Sequence, residues 1–520
     1  MSNETITFLV LGVVVVVFIL DRFPVAVVAV ATALTLWATG VLPLSTALSG
    51  FGDPAVVFIA ALFVVSESLD ATGVTAWAGQ LLIASVGESR ARLLTLTILL
   101  VAVVTALISV NGAVAALLPV MVVTAVRLKR PASQLLLPLA FGAHAGSLLA
   151  LTGSPVNVVA SEYAKDAGVG SFGYFSFAVA GLPLVAGTIV IVVLFGERLL
   201  PHRRAKTISK DFSDHARVLM KEYGLVESDR ELLSRTSGLA EVVIPPRSQL
   251  VGDTVFPGMV TESGDLVVVA VMRRGEKLGG DTALAVGDTL LLEGSWGALE
   301  HHLDDPDVLV VDDPDLVRRQ AVPLGPGAKR TLVILAAMVL LLATNAVPPA
   351  VAGLLAAGAI VVTGVLTIER AYRGISWTTV ILVAGMFPLS TAMTETGAAG
   401  RLADGLVRIV GDAGPHVLLV GLFVLTAVLG QLISNMATAL IIFPVALSAA
   451  QDLSVSPKPV LMSVTVAAAA ALITPVATPA NLMVMEPGDY RFGDYWKLGL
   501  PLLVLFAAVS ILVVPLVWSF

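Results

Sequence analysis

The sequence predicts an α-helical polytopic membrane protein made of two inverted repeats. Each repeat has five spans and one re-entrant hairpin, and a small α+β domain is inserted between them. Three observations carry that prediction. The 520 residues are 57% hydrophobic and only 13% charged, against about 25% charged in ordinary soluble chains. The charge is segregated: residues 201–326 hold 35 of the 69 charged residues, 14 basic and 21 acidic, while the other 394 hold 17 of each sign. The apolar sequence on one side of that segment also repeats on the other. The boundaries are therefore 1–200 for the first membrane repeat, 201–326 for the insert and 327–520 for the second repeat.

This composition excludes a soluble enzyme, a nucleic-acid binder and a disordered chain. The absence of cysteine removes disulfides, thiolate metal sites and a cysteine nucleophile. A net charge of −7 gives no sign of a polyanionic partner.

The repeat lies in polar and punctuating residues, where apolar composition alone cannot create it. A shift of 324 sets the segment from Leu42 on the segment from Leu366, with Gly50/Gly374, Ser66/Ser390, Thr72/Thr396 and Gly73/Gly397 in register. Pro24 meets Pro348 at the same offset. ISVNGAVAALLPV (108–120) answers ISNMATALIIFPV (433–445), GSPVN (153–157) answers ATPAN (477–481), and GLPL occurs at 181–184 and 499–502.

Apolar runs near 6–20, 24–39, 54–69, 135–160 and 178–198 supply the five spans of the first half, since a span takes about 20 apolar residues. The run 92–126 is long enough to enter and return, and Ser109-Val110-Asn111-Gly112 at its centre suits a re-entrant tip. An odd number of crossings inverts the second half. Lysine and arginine orient the whole. With the insert in the cytoplasm, Arg22, Arg90, Arg92, Arg127, Lys129, Arg130, Arg198, Arg203, Arg204, Arg370, Arg373, Arg491 and Lys497 lie inside. Lys165, Arg401, Arg408 and Lys458 lie outside, and both termini are extracellular. Met1–Thr5 has no basic stretch of the kind that opens a cleavable signal peptide, so the first apolar run reads as a span.

Inverted repeats with broken helices mark secondary transporters whose site lies at the midplane between the halves. Each half has two breaks. One is the hairpin tip, Ser109–Gly112 and then Ser434–Thr438. The other is a proline-interrupted span, Leu151–Asn157 and then Thr474–Asn481. Proline frees a carbonyl. Freed carbonyls with Ser, Thr and Asn oxygens suit a dehydrated cation such as sodium, and exposed N–H groups at half-helix N-termini suit an anion. The breaks contain no Asp, Glu, Lys or Arg, which favours sodium coupling over proton coupling. His144 precedes Thr152 by eight residues, about 12 Å along a continuous helix, and reads either as a packing residue or as a pH-sensitive element. Glu67 and Asp70 end the third span, where water is expected to reach them.

These motifs resemble the divalent anion/sodium symporter family of the ion transporter superfamily, over nearly all of both membrane blocks. The family carries a Ser-Asn-Thr triplet at each hairpin tip and a Thr/Ser-Pro-x-Asn break after it. Ser434-Asn435 matches the triplet and Met436 departs from it; Ser109 matches, Val110 departs, and an amide returns at Asn111. The resemblance implies one sodium site from Thr105, Ser109 and Gly153 and another from Ser434 and Ala477. It implies an anion faced by Asn111, Ser154, Pro155, Asn435, Thr478 and Pro479, with Asn157 and Asn481, which complete the Thr/Ser-Pro-x-Asn motifs, as further substrate-binding residues. A homodimer and an elevator motion are implied as well.

Within the insert, 239–245, 265–278, 288–294 and 307–311 read as strands, 296–303 as a short helix, and 206–236 as a helical linker. The stretch from Glu241 to Gly294 resembles the C-terminal ligand-binding domain of potassium-transport regulators, called TrkA-C or RCK-C. That resemblance implies pairing of two inserts and a small ligand such as cyclic di-AMP, with Arg247, Arg273 and Arg274 as candidate contacts.

The sequence thus points to a sodium-coupled symporter of a small divalent anion, sulfate or a dicarboxylate, in the cell membrane. The competing readings are a ligand-gated channel, which lacks a TVGYG-type filter here, and a proton-coupled anion carrier using His144.

Overall fold

A computed structural model describes residues 2–20, 22–75, 77–79, 89–128, 130–203, 237–261, 263–274, 276–302, 307–311, 324–325, 327–410 and 414–520. The chain separates into two compact units, one from the two apolar blocks and one dominated by residues 209–328.

In the apolar unit the first half runs α1 (Asn3–Leu20), α2 (Val25–Ala38), α3 (Leu44–Ala47), α4 (Pro54–Ala71), α5 (Arg90–Leu107), α6 (Val110–Arg127), α7 (Leu136–Gly146), α8 (Pro155–Asp166) and α9 (Ala178–Leu199). The insert supplies β1 (Ser237–Val243), β2 (Thr254–Val255), β3 (Leu266–Arg273), β4 (Glu276–Leu278), β5 (Thr282–Ala283), β6 (Thr289–Ser295), α10 (Trp296–His302) and β7 (Leu309–Val310). The second half runs α11 (Ala328–Ala343), α12 (Pro349–Val362), α13 (Ile368–Gly374), α14 (Trp377–Glu395), α15 (Ala398–Val410), α16 (Pro415–Gly430), α17 (Asn435–Asp452), α18 (Pro457–Ala469), α19 (Pro479–Met485), α20 (Tyr495–Ala508) and α21 (Val514–Val517). Among the described residues six helical stretches are long and apolar enough to cross a membrane: α1, α4, α5, α9, α14 and Phe492–Val517. The protein is a polytopic helical membrane protein.

The repeat appears as packing. A Cβ on Gly385 would meet the Ala29 backbone carbon at 2.7 Å, and one on Gly353 would meet the Ala61 Cβ at 3.1 Å. The residues are images of each other: 353 − 29 and 385 − 61 both equal 324. Equivalent helices also run in opposite directions. Glu67 near the end of α4 pairs with Arg370 ahead of α14 at 3.3 Å, while Gly50 ahead of α4 lies against Ala384 inside α14. An antiparallel pair of equivalent helices is what an inverted repeat produces.

Ion pairs group the helix ends. Arg401 pairs with Glu4, two groups expected on one face. Arg370 with Glu67 and Arg203 with Asp494 join groups expected on the other.

Each predicted hairpin consists of two helices meeting at a serine, α5 and α6 at Ser109, and α16 and α17 at Ser434. Serine is a favoured N-cap because its oxygen accepts an otherwise unpaired first-turn N–H. Ser109 Oγ accepts from Gly112 N at 3.2 Å and Ser434 Oγ from Ala437 N at 3.3 Å. The predicted breaks are equally regular. α7 stops at Gly146, a turn of 3₁₀-helix covers Leu151–Gly153, and α8 starts on Pro155; α18 stops at Ala469, Pro475–Ala477 form the turn, and α19 starts on Pro479. Proline is tolerated at the first helical position because its missing N–H would have no partner there.

The repeated GLPL motif has a packing cause. Gly181 in α9 lies against the Leu148 carbonyl, and Gly499 in α20 against the Leu472 carbonyl. Only glycine lets a helix approach the unwound segment so closely.

The insert folds as an antiparallel five-stranded sheet in the order β4-β3-β6-β1-β7, beside the two-stranded sheet β2-β5. α10 caps its core through Trp296 and Leu299, which pack with Val242, Val268 and Leu290. The segment expected as a single strand over 265–278 is a hairpin of β3 and β4, turning at Arg274, where φ is +54°. Hydrophobic alternation continues across such a turn and hides it. β2 and β5 are too short to leave a periodic signal. The expected linker 206–236 lies outside the described residues.

Candidate functional site

A cavity of about 610 Å³ opens in the apolar unit where the breaks converge. Its wall includes the N-cap residues of four helices: Ser109 of α6, Ser154 of α8, Ser434 of α17 and Thr478 of α19. Ser154 Oγ accepts from Val156 N at 3.2 Å and Thr478 Oγ1 from Asn481 N at 3.4 Å. Helix N-termini therefore enter the cavity from both halves, and each long helix brings roughly half a positive charge. The halves also touch there, since Asn111 Oδ1 accepts from Ala480 N at 3.2 Å.

Ten expected site residues lie on this wall: Ser109, Asn111, Gly153, Ser154, Pro155, Ser434, Asn435, Ala477, Thr478 and Pro479. Thr105 does not line it. It is fully buried one turn before Ser109, and its hydroxyl finds no protein partner. A Cβ on Gly153 would strike the Ser147 carbonyl, so that position needs glycine.

Asn157 and Asn481 are corrections. Neither lines the cavity, and both are fully buried. Asn157 Nδ2 donates to the carbonyls of Ser147 (2.8 Å) and Ala150 (2.9 Å), and Asn481 Nδ2 to those of Ala471 (2.8 Å) and Thr474 (3.0 Å). The span is unwound here and the asparagines supply donors to its carbonyls, that of Ala150 accepting from Gly153 N at 3.1 Å as well. The motif asparagine braces the break from behind.

His144 is the second correction. The 12 Å separation assumed an unbroken helix, but α7 ends at Gly146. The chain folds back and places the imidazole on the cavity wall, with Nε2 3.2 Å from Asn481 Oδ1 and 3.3 Å from Thr478 Oγ1. Glu67, Asp70 and Arg373 border the same cavity, as do Ser66, Ser376, Thr378 and Thr379. The breaks are uncharged, but their surroundings are not. The position of Ser66 within the repeat register was a usable signal. Nothing in the sequence joined α14 to the hairpin tips.

The cation cluster expected in the insert does not form as one. Arg273 Nε and Nη2 each lie 2.7 Å from Asp288 oxygens, and Nη2 donates to the Ala283 carbonyl at 2.8 Å. The Arg273 guanidinium holds the Asp288 carboxyl below its ordinary range. Arg247 and Arg274 are exposed on turns.

The profile of the citrate transporter family, CitMHS, matches residues 15–467 and 413–520. The uncharacterized transporter YfbS of Escherichia coli (strain K12) is 31% identical, with all of both chains covered. Sodium/sulfate cotransporter 1 of Chlamydomonas reinhardtii is 27% identical over 51% of this chain and 31% of its own. Among solved structures, the YdaH transporter of Alcanivorax borkumensis matches with a TM-score of 0.51 at 13% identity, over 91% of this chain and 87% of its own. That likeness is one of fold.

Proposed function

The chain belongs to the citrate transporter family, and from that premise we propose that it is a sodium-coupled symporter of a small divalent oxyanion, sulfate first and a dicarboxylate second. The observation that carries the proposal is the meeting of four helix N-caps, Ser109, Ser154, Ser434 and Thr478, on one cavity. N–H groups and hydroxyls at such ends bind an oxyanion without an arginine clamp. The name of the sodium/sulfate relative supports the choice of ions. A cavity of about 610 Å³ also has room for a dicarboxylate.

In this reading Thr105, Ser109 and Gly153 hold one sodium ion, and Ser434 and Ala477 the other. Asn111, Ser154, Pro155, Asn435, Thr478 and Pro479 face the anion. The breaks travel as a transport domain against a dimeric scaffold in an elevator cycle. The Lys/Arg bias assigns the end of the cavity lined by Glu67, Asp70 and Arg373 to the cytoplasmic side in this reading. The insert, with the TrkA-C-like pattern of its sequence, serves as a cytoplasmic regulator.

One observation favours a second reading, proton coupling: His144 lies on the cavity wall within 3.3 Å of Thr478. Sulfate uptake into proteoliposomes, with sodium and pH varied separately under clamped potential, separates the two. Sodium coupling predicts saturable, sodium-dependent uptake that changes little between about pH 6 and 8, the range in which an ordinary imidazole titrates. Uptake driven by a proton gradient without sodium would overturn it. Competition by succinate, citrate, aspartate and phosphate ranks the anions.

A further inference from the structure

A second, small pocket of about 20 Å³ shares the polar residues His144, Ser154 and Asn435 with the large cavity and adds Ser147, Asn157 and Thr465. That volume admits one water molecule or one small ion. Three of the residues around it carry a buried polar atom that no protein group satisfies: His144 Nδ1, Asn157 Oδ1 and Asn435 Oδ1. His144 and Asn157 are 1% and 0% exposed.

Hydrogen bonding decides what these atoms offer. Asn157 gives its NH₂ to two carbonyls, so its Oδ1 only accepts. Asn481 likewise gives away its NH₂, so its Oδ1 accepts from His144 Nε2, which must carry the ring proton. A neutral imidazole protonated at Nε2 leaves a bare lone pair at Nδ1. The hydroxyl protons of Ser147 and Thr465 are committed to the carbonyls of His144 and Leu461, leaving lone pairs as well. Asn435 borders both cavities, so its amide can show oxygen to one and NH₂ to the other. A water molecule donates only two protons and would leave part of this acceptor set unpaired. A cation satisfies all of it.

We propose that this pocket is a cation site, taking one sodium ion through His144 Nδ1, Asn157 Oδ1, Asn435 Oδ1 and the Ser147 and Thr465 hydroxyl oxygens, in addition to the two ions assigned to the breaks. The proposal rests on the sodium-symport reading. Asn435 and His144, which border the large cavity too, then join the ion to the anion. Binding of either favours the side-chain orientation the other needs.

The test compares His144→Gln, His144→Asn and Thr465→Val in proteoliposomes, reading sodium ions carried per sulfate from reversal potentials, with ²²Na⁺ binding to the purified protein. Glutamine keeps a donor toward Asn481 and loses the acceptor at Nδ1. Asparagine keeps the acceptor and loses the donor. His144→Gln is expected to carry one fewer sodium per sulfate, or to need roughly ten- to a hundredfold more sodium, the effect of losing one bond to a charged partner. Thr465→Val, which does not touch the large cavity, shifts sodium affinity in the same direction. His144→Asn keeps the sodium count and weakens sulfate binding. If wild type needs no sodium at all, the symport reading fails and this one with it. If wild type is sodium-coupled but the glutamine and valine variants match it in count and affinity, the pocket holds water only and this proposal alone is overturned. Should His144→Gln fail to fold, Thr465→Val decides by itself.

Discussion

Asn157 and Asn481 make the same two hydrogen bonds in opposite halves of the chain, each donating through Nδ2 to carbonyls ten and seven residues back. An unwound segment in a buried site leaves carbonyls that no water can satisfy, and each unpaired group costs about 1–3 kcal/mol. Two asparagines at the same position of the repeat solve the same problem twice.

Asn157→Ala and Asn481→Ala should therefore act on stability first. Asn157→Ala leaves the Ser147 carbonyl without its donor while Ala150 keeps the Gly153 N–H, and Asn481→Ala does the same to the Ala471 carbonyl, so each should lose at least the cost of one unpaired buried group, about 1–3 kcal/mol. Thermal melting of the purified protein without substrate checks this. A variant that melts like wild type yet fails to bind sulfate would return the asparagine to the substrate.

Thr478→Val and Ser154→Ala should act on the anion. Both side chains line the cavity from capping positions. Loss of one hydrogen bond to a charged ligand costs about 1.5–3 kcal/mol. The sulfate Kd should rise ten- to a hundredfold, beyond the stability cost of about 1 kcal/mol that loss of each N-cap carries. Equal Kd in both variants would remove these residues from the site.

Ser109→Ala and Ser434→Ala should raise the sodium concentration for half-maximal uptake. Each also removes an N-cap, with a stability cost of about 1 kcal/mol. The informative ratio is sodium dependence measured at saturating sulfate. An unchanged sodium requirement in both variants would contradict the assigned ion sites.

Gly181→Val and Gly499→Val should prevent folding. A Cβ at either position would strike the carbonyl of Leu148 or Leu472, and backbone in a packed break cannot yield. Size-exclusion profiles of the detergent-extracted protein report this. Gly358, with nothing within 4 Å of an added Cβ, is the control and should accept alanine.

In the insert, Arg273→Ala should loosen the β3-β6 pair, read as faster amide hydrogen exchange across Leu266–Arg273 and Thr289–Ser295. Arg273 lowers the Asp288 pKa, so the stabilisation is present above the unfolded-state value, about 3.9, and disappears as pH falls through the lower folded value. The gap between wild type and variant should be full at pH 6 and vanish in strong acid. A gap independent of pH would mean the arginine acts through packing alone.

Much of this protein was legible as sequence because the signals were local or periodic. Apolar runs gave the helices, charge segregation separated the insert, and the 324-residue offset gave the repeat. Proline and serine positions gave the break points, since both act on the backbone within one turn of themselves. Ten of the expected residues that line the cavity lie in those breaks.

The tertiary structure decided what depends on direction and on contact between distant segments. Whether Asn157 faces an anion or a carbonyl depends on how the chain folds back after Gly146, and no spacing rule records that turn. His144 and Thr478 are 334 residues apart and 3.3 Å from each other; only the antiparallel packing of equivalent helices brings them together. The same packing sets Glu67, Asp70 and Arg373 around breaks that contain no charge. It also leaves Arg273 committed to Asp288. A residue's type and interval determine what it can do to its own backbone, and its partners across the fold determine what is left over for an ion or an anion.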